Sequence, residues 1–275
     1  MNPKLTGVLL TMTLAALTAC GGGDDKKNPA PKSGDGSSAK GAAPAAAPGG
    51  GGAYDAAKST ATVKVTAKWG GAPLTPAKVV FGADDFCKAI PGGGADDPRF
   101  AVNADGTLPN VFVWAKDGPH KGMSGLPESP KATIDQHGCM YVPHIIGLRA
   151  GQPFTVKNSD GTTHNVHPRP KTNDGFNPAQ AAGASNDFTF KNKEKAIQFA
   201  CDIHSWMSAW AFVVDHPFFG TTGADGTVTI GKLPAGKYKF VAWHEPVVAD
   251  GKPFEVEFDV EVAEGQSKDV SVDIK

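Results

Sequence analysis

The sequence predicts an all-β protein made of two β-sandwiches carried behind an extended N-terminal tether. Three observations lead there. Apolar side chains recur at alternate positions, as in Val63, Val65 and Ala67, in short runs bounded by Gly and Pro. No stretch of helical length keeps a convincing 3.6-residue apolar period. The residues from Gly21 to about Ser59 are Gly, Ala, Pro, Ser and Lys with almost no large apolar side chain, so they cannot bury enough surface to offset the entropy of ordering.

The N-terminus has the order of an export signal. Lys4 is followed by an apolar run from Leu5 to Leu17 and the small pair Thr18-Ala19 before Cys20. That run is too short to cross a bilayer and reads as a secretory signal over 1–19. Leu17-Thr18-Ala19-Cys20 resembles the bacterial lipobox, in which cleavage precedes a cysteine that becomes lipidated. An ordinary signal cleaved at these small residues is the competing reading, and export follows from either. Gly21 after Cys20 implies, by the same resemblance, sorting to the outer membrane with the protein facing the periplasm. The linker expected over 20–59 would reach about 35 Å as a random coil. No later apolar stretch is long enough to cross a membrane, so a lipid is the expected sole attachment.

The net charge is −1, and no basic run stands outside the tether, so nucleic acid has no electrostatic footprint here. About 215 residues follow the tether, enough for one large or two small domains.

In chain order, Ala61 to Trp69 alternates and ends at the turn Gly70-Gly71-Ala72-Pro73. Ala77 to Phe81 is a second expected strand and Val111 to Trp114 a third. The same style resumes from Thr221, with the turn Ala224-Asp225-Gly226 and the run Leu233-Pro234-Ala235-Gly236-Lys237-Tyr238. These pieces resemble the carboxypeptidase regulatory-like, transthyretin-related sandwich. Its usual opening strands match Val63 to Val80 and are missing before Thr221. One discontinuous sandwich over 60–116 and 216–275 is therefore expected, interrupted by a second domain over 117–215. Two sequential units, with the first strands belonging to the second domain, are the alternative.

The interrupting segment holds the chemistry. Cys201-Asp202-Ile203-His204-Ser205-Trp206-Met207 places a thiolate, an imidazole and a thioether three residues apart in a loop between two expected strands. These are the donors of a mononuclear electron-transfer copper site, which also needs a second imidazole. The upstream order Tyr141-Val142-Pro143, Ala150-Gly151-Gln152, Val156-Lys157-Asn158-Ser159-Asp160 and His164-Asn165-Val166-His167 resembles a cupredoxin, most nearly the amicyanin type, over about 130–215. The resemblance implies a Greek-key sandwich holding one type 1 copper ion. His164, Cys201, His204 and Met207 would be the ligands, with Asn165 tying the two ligand loops together by hydrogen bonds. Alternation alone does not choose between His164 and His167; the resemblance chooses His164. It also implies that the exposed edge of His204, with Trp206 beside it, is the electron port. Amicyanin has Pro where this chain has Ser205, which leaves the mobility of His204 open.

Cysteine use fits such a site. Of four cysteines, Cys20 is assigned to lipid. Pairing Cys87 with Cys139 leaves Cys201 free for a metal in an oxidising compartment; a Cys139–Cys201 bond, the competing reading, would destroy the site. The surroundings of Cys87 and Cys139 read as loops or strand ends. His120, His137, His144, His167, His216 and His244 are scattered and read as structural or solvated, although His137 and His144 bracket Cys139.

Four protein donors leave no open metal position, which favours outer-sphere transfer of single electrons over catalysis. A non-enzymatic electron carrier with a donor and an acceptor protein as partners is expected. A copper-delivery module, or an envelope scaffold in which the other sandwich does the work, are the competing functions. Only five Met occur and they do not cluster, which counts against delivery.

Overall fold

Val63, Val65 and Ala67 are fully buried in the strand Ala61–Trp69 of this computed structural model, while Lys64 and Lys68 of the same strand face solvent. The structure describes residues 51–92, 94–248 and 251–275. The expected signal peptide, the lipidation site Cys20 and the tether up to residue 50 lie outside the described residues. Apart from one turn of α-helix at Asp85–Lys88 and a 3-10 turn at Pro98–Phe100, the regular structure of the described residues is all β.

Strand Ala61–Trp69 lies between Thr227–Leu233, antiparallel, and Ser267–Ile274, parallel. A second sheet runs in the order Phe219–Thr221, Phe112–Asp117, Gly236–His244, Phe254–Val262. Val63, Val65, Val113, Ala115, Phe240, Val260 and Val272 interleave between the two sheets. A fully buried side chain of this kind is worth roughly 1.5–3 kcal/mol. Surface ion pairs such as Lys239–Asp259 contribute at most about 1 kcal/mol, so apolar burial holds these sheets together.

Residues 132–214 form the other sandwich. One sheet runs His167–Arg169, Glu194–Ala200, Ser208–Val214, Ile145–Arg149, and the other Ser185–Thr189, Pro153–Asn158, Ala132–His137, Met140–Val142. Ile134, Tyr141, Phe154, Val156, Phe190 and Phe199 fill the space between them. The sandwiches share a third apolar layer. Strand Phe112–Asp117 turns Val113 and Ala115 into the first core, and Phe112 and Trp114 onto the second sandwich. The rings of Phe112 and Phe212 stack 4.3 Å apart. Gly147 is required there, because a Cβ would come within 2.4 Å of the Phe219 ring and 2.6 Å of Phe112. The described residues accordingly make one compact unit.

Three expectations are corrected. The end of the expected tether is ordered: Tyr54 donates its hydroxyl to the Lys232 carbonyl (3.0 Å), lays its ring on Phe218, and takes part in backbone pairing with Ser124. Tyr54 is the large side chain whose burial offsets the ordering. The segment around Cys87 is neither loop nor strand end but the helical turn Asp85–Lys88, capped by Asp84, whose side chain accepts the Cys87 N–H. The strand expected over 77–81 does not join the first sandwich. Among the described residues, Lys78–Val80 pairs only with Gly94–Asp96. Its inward side chain Val79, followed by Phe81, packs on Met140, Trp206 and the cysteines 87 and 139, leaving Val80 78% exposed.

His120 and His216 meet edge to face at 4.4 Å beneath the first sandwich, with His120 stacked parallel on Tyr238. Burial pushes both imidazoles down to about 4; Asp215 and Asp117 oppose the shift at His120 and Lys121 adds to it. An unfolded histidine titrates near about 6.5. Between those values the unfolded chain binds protons that the folded protein refuses. The stability these groups confer is therefore complete above about pH 6.5 and is lost as pH falls towards 4. We predict a loss on the order of a few kcal/mol across that window, measured as a falling urea midpoint. His120→Phe, which keeps a ring on Tyr238, should make the dependence shallower.

Candidate metal centre

Strands Glu194–Ala200 and Ser208–Val214 are antiparallel neighbours whose last pair is Ala200 with Ser208. The seven residues between them are thereby pinched into a closed loop. Within it the Cys201 N–H donates to the Met207 carbonyl (3.4 Å) and the Met207 N–H to the His204 carbonyl (2.9 Å). Cys201, His204 and Met207 all point inward, at 2%, 2% and 1% exposure, and Cys201 is the free cysteine of the described residues.

His164 comes from the two-residue strand His164–Asn165, paired with Ala179–Gln180. It is fully buried. Its Nδ1 lies 2.8 Å from His204 Nδ1, which in turn lies 3.8 Å from Cys201 Sγ. The ligand atoms of His164, Cys201 and His204 all fall within 4.8 Å of one another. His167 is not among them. It lies half-exposed with Nδ1 3.0 Å from the Asp202 carboxylate. Met207 is buried in the same loop and belongs to the same apolar cluster as Cys201.

Asn165 sits between the two ligand segments. Its Oδ1 accepts the N–H groups of Asp202 (2.6 Å) and Ile203 (3.3 Å) and lies 3.2 Å from Cys201 Sγ, while its own N–H points to that sulfur at 3.5 Å. The His204 N–H also points to Cys201 Sγ, at 3.4 Å.

Each imidazole turns its other nitrogen to a carboxylate. His164 Nε2 donates to Asp160 Oδ2 (2.9 Å). Asp160 also accepts the N–H groups of Gly138 (2.7 Å) and Cys139 (2.8 Å). Those two residues form a hairpin turn with φ of 63° and 56°; a left-handed cysteine costs roughly 1–2 kcal/mol, and Asp160 and the disulfide hold it there. Burial lowers the pKa of His164, against the raising effect of Asp160, which keeps a neutral, ligating imidazole favoured. His204 Nε2 lies 3.3 Å from Asp84 Oδ2, a close contact without hydrogen-bond alignment.

Cys87 and Cys139 are joined, with Cα atoms 5.8 Å apart. The bond runs beside the site: Cys87 lies within 4.8 Å of the Asp84 and His204 ligand atoms, and Cys139 within the same distance of Asp160 and His164. These sulfurs are consumed by the disulfide and are not donors.

The exposed electron port expected at His204 is corrected. Its imidazole is covered by Asp84 on the strap that follows Phe81, and by Trp206, whose ring centre is 5.0 Å away. Trp206 is half-buried, packed against Phe81 at 5.6 Å and donating Nε1–H to the Cys139 carbonyl (3.1 Å). Ser205 is exposed and Ile203 is 52% exposed. Sequence reasoning passed over Asp84 and Asp160 as partners of the histidines. Asp160 had a local signal, four residues before His164, whereas Asp84 had none. His144 is likewise not near a metal donor set: it is buried against Glu245, which also accepts the Trp210 Nε1–H at 2.9 Å.

No protein-family model matches the chain, and no curated relative matches it. Among solved structures it is similar to a purple cupredoxin from Nitrosopumilus maritimus, at 20% identity and TM-score 0.27 over 30% of this chain and 100% of the other. It is similar to a mutant of amicyanin in the Cu(I) state, at 16% identity and TM-score 0.29 over 32% of this chain and 86% of the other. A third is a copper-containing nitrite reductase from Thermus scotoductus, at 18% identity and TM-score 0.29 over 32% of this chain. This chain spans only 23% of the nitrite reductase. With such partial overlap, the case for a metal rests on the donor set itself.

Replacing Asn165 with Ala leaves the N–H groups of Asp202 and Ile203 without their acceptor. The metal-free protein is predicted to lose about 1–2 kcal/mol, read from urea unfolding, with the strand pairs on either side of the loop intact by amide hydrogen exchange.

Proposed function

We propose that this chain is a type 1 copper protein that carries single electrons in the cell envelope, tethered through a lipid on Cys20. One observation supports the metal above all others: two imidazole Nδ1 atoms and a thiol converge in a buried pocket, with each imidazole's far nitrogen at a carboxylate. Two nitrogens, one thiolate and a thioether are a copper donor set. His164, Cys201 and His204 would hold the ion, with Met207 as the weak fourth donor. Bound there, copper supplies a one-electron couple between Cu(II) and Cu(I).

The protein's own residues do the rest. Asp160 keeps His164 with Nδ1 inward; Asn165 keeps the loop backbone fixed so that a change in charge at the metal meets little reorganisation. The four donors are at most 2% exposed, so water and substrates are kept away, which favours electron transfer over catalysis at the metal. With His204 covered, the half-buried Trp206 beside its ring offers the path outward, and a donor and an acceptor protein would exchange electrons there. The lipid anchor and an outer-membrane, periplasm-facing location follow from the N-terminal sequence reading.

Two outcomes are expected. Titration with Cu(II) should develop an intense visible thiolate-to-copper band that Cys201→Ser abolishes; a colourless copper-loaded wild type rejects the assignment. Cys20→Ser should move the exported protein from the detergent phase to the aqueous phase on phase partitioning, and wild-type protein already in the aqueous phase argues against the anchor.

A further inference from the structure

Residues 81–90 follow the short strand Lys78–Val80 and lie across the ligand loop as a closely fitted strap. Cys87 bonds it to Cys139. Phe81 packs on Trp206. At Gly82 a Cβ would come within 2.7 Å of the Trp206 ring, and at Gly161 a Cβ would come within 2.7 Å of the Phe86 ring. Neither glycine has room for a side chain unless an aromatic ring moves, so the strap and the loop are seated against each other.

Asp84 is the strap residue that reaches a proposed metal ligand. Its Oδ1 accepts the Cys87 N–H (2.9 Å), which caps the helical turn. Its Oδ2 accepts the Thr162 hydroxyl (3.0 Å) and stands 3.3 Å from His204 Nε2. Both oxygens are thus held from sides other than His204, and the carboxylate cannot turn away without giving up a partner. His164 has the same arrangement, with Asp160 held by Gly138 and Cys139. His204 Nε2 is a buried nitrogen with no hydrogen bond of its own, and Asp84 Oδ2 is the carboxylate beside it. An imidazole that ligates through Nδ1 carries its proton on Nε2, and an acceptor placed there fixes both ring orientation and donor strength.

We propose that Asp84 is the positioning residue for His204. It takes the Nε2–H as a hydrogen-bond acceptor, holds Nδ1 towards Cys201 and His164, and places a negative charge one imidazole away from the metal. This inference rests on the copper reading of the site. The carboxylate charge favours the more highly charged oxidised metal, so it lowers the reduction potential. The bland role for Asp84 is that of helix cap alone.

Asp84→Asn separates the two roles, because an amide oxygen can still cap Cys87 while the Oδ2 acceptor facing His204 is lost. Expected for Asp84→Asn are a copper affinity weaker by about 10- to 100-fold, an upward-shifted reduction potential, and fast solvent exchange of the His204 Nε2–H in NMR spectra of the Cu(I) protein, where wild type exchanges slowly. The melting temperature of the metal-free protein should change little. Asp84→Ala, which also loses the cap, should lower that temperature as well. A copper-loaded wild type with the thiolate band, beside an Asp84→Asn variant of unchanged affinity, potential and exchange, overturns the role given to Asp84. A wild type with no thiolate band on adding Cu(II) overturns the copper reading and this inference with it.

Discussion

Polar atoms buried at one point must each find a partner, and that requirement organises one end of this molecule. Two imidazoles, a thiol and the backbone of a tight loop are withdrawn from water around residues 164 and 201–207. Leaving such a group unpaired costs about 1–3 kcal/mol. Asn165 meets the loop amides, Asp160 meets His164, and Asp84 stands at His204. The carboxylates are in turn fixed by Gly138, Cys139, Cys87 and Thr162. The outcome is a shell of anchored acceptors around three atoms that face one another.

That shell is drawn from both parts of the chain, which ties the sandwiches together chemically as well as by packing. The apolar layer of Phe112, Trp114, Phe212 and Trp243 joins the sheets. The strap that follows Lys78–Val80 covers the loop of the second sandwich and is stapled there by Cys87–Cys139. A disulfide restricts the unfolded chain and adds stability on the order of 2–4 kcal/mol. Here it also holds Asp84 and Asp160 on opposite flanks of the same pair of histidines. Burial of His204 follows from this, and beside it lies Trp206, which meets His204, Phe81 and the Cys139 carbonyl at once.

Where sequence expectation and structure part, the parting has a physical cause. The alternation at Ala61–Trp69 was legible because a half-buried strand imposes a period of two. The same rule read 77–81 as a further sandwich strand. Period identifies a strand without naming its neighbour, and Val79 and Phe81 found their apolar surface on Trp206 and Met140 instead. The tether was read from composition averaged over many residues, which hid the effect of Tyr54, one aromatic with a place to pack at Phe218. The exposed edge expected at His204 came with the family resemblance, which carries no information about the strap that brings Asp84 against the ring.

By itself the sequence determined the all-β class and the donor types of the candidate site, because alternation and the Cys-x-x-His-x-x-Met spacing are local properties written along one stretch of chain. Tertiary structure decided what stands beside those donors. Asp84 and His204 are far apart in sequence and 3.3 Å apart in space, and no periodicity or spacing encodes such a meeting. It arises because a strap from outside the second sandwich is seated on its loop by a disulfide and by rings packed against glycines.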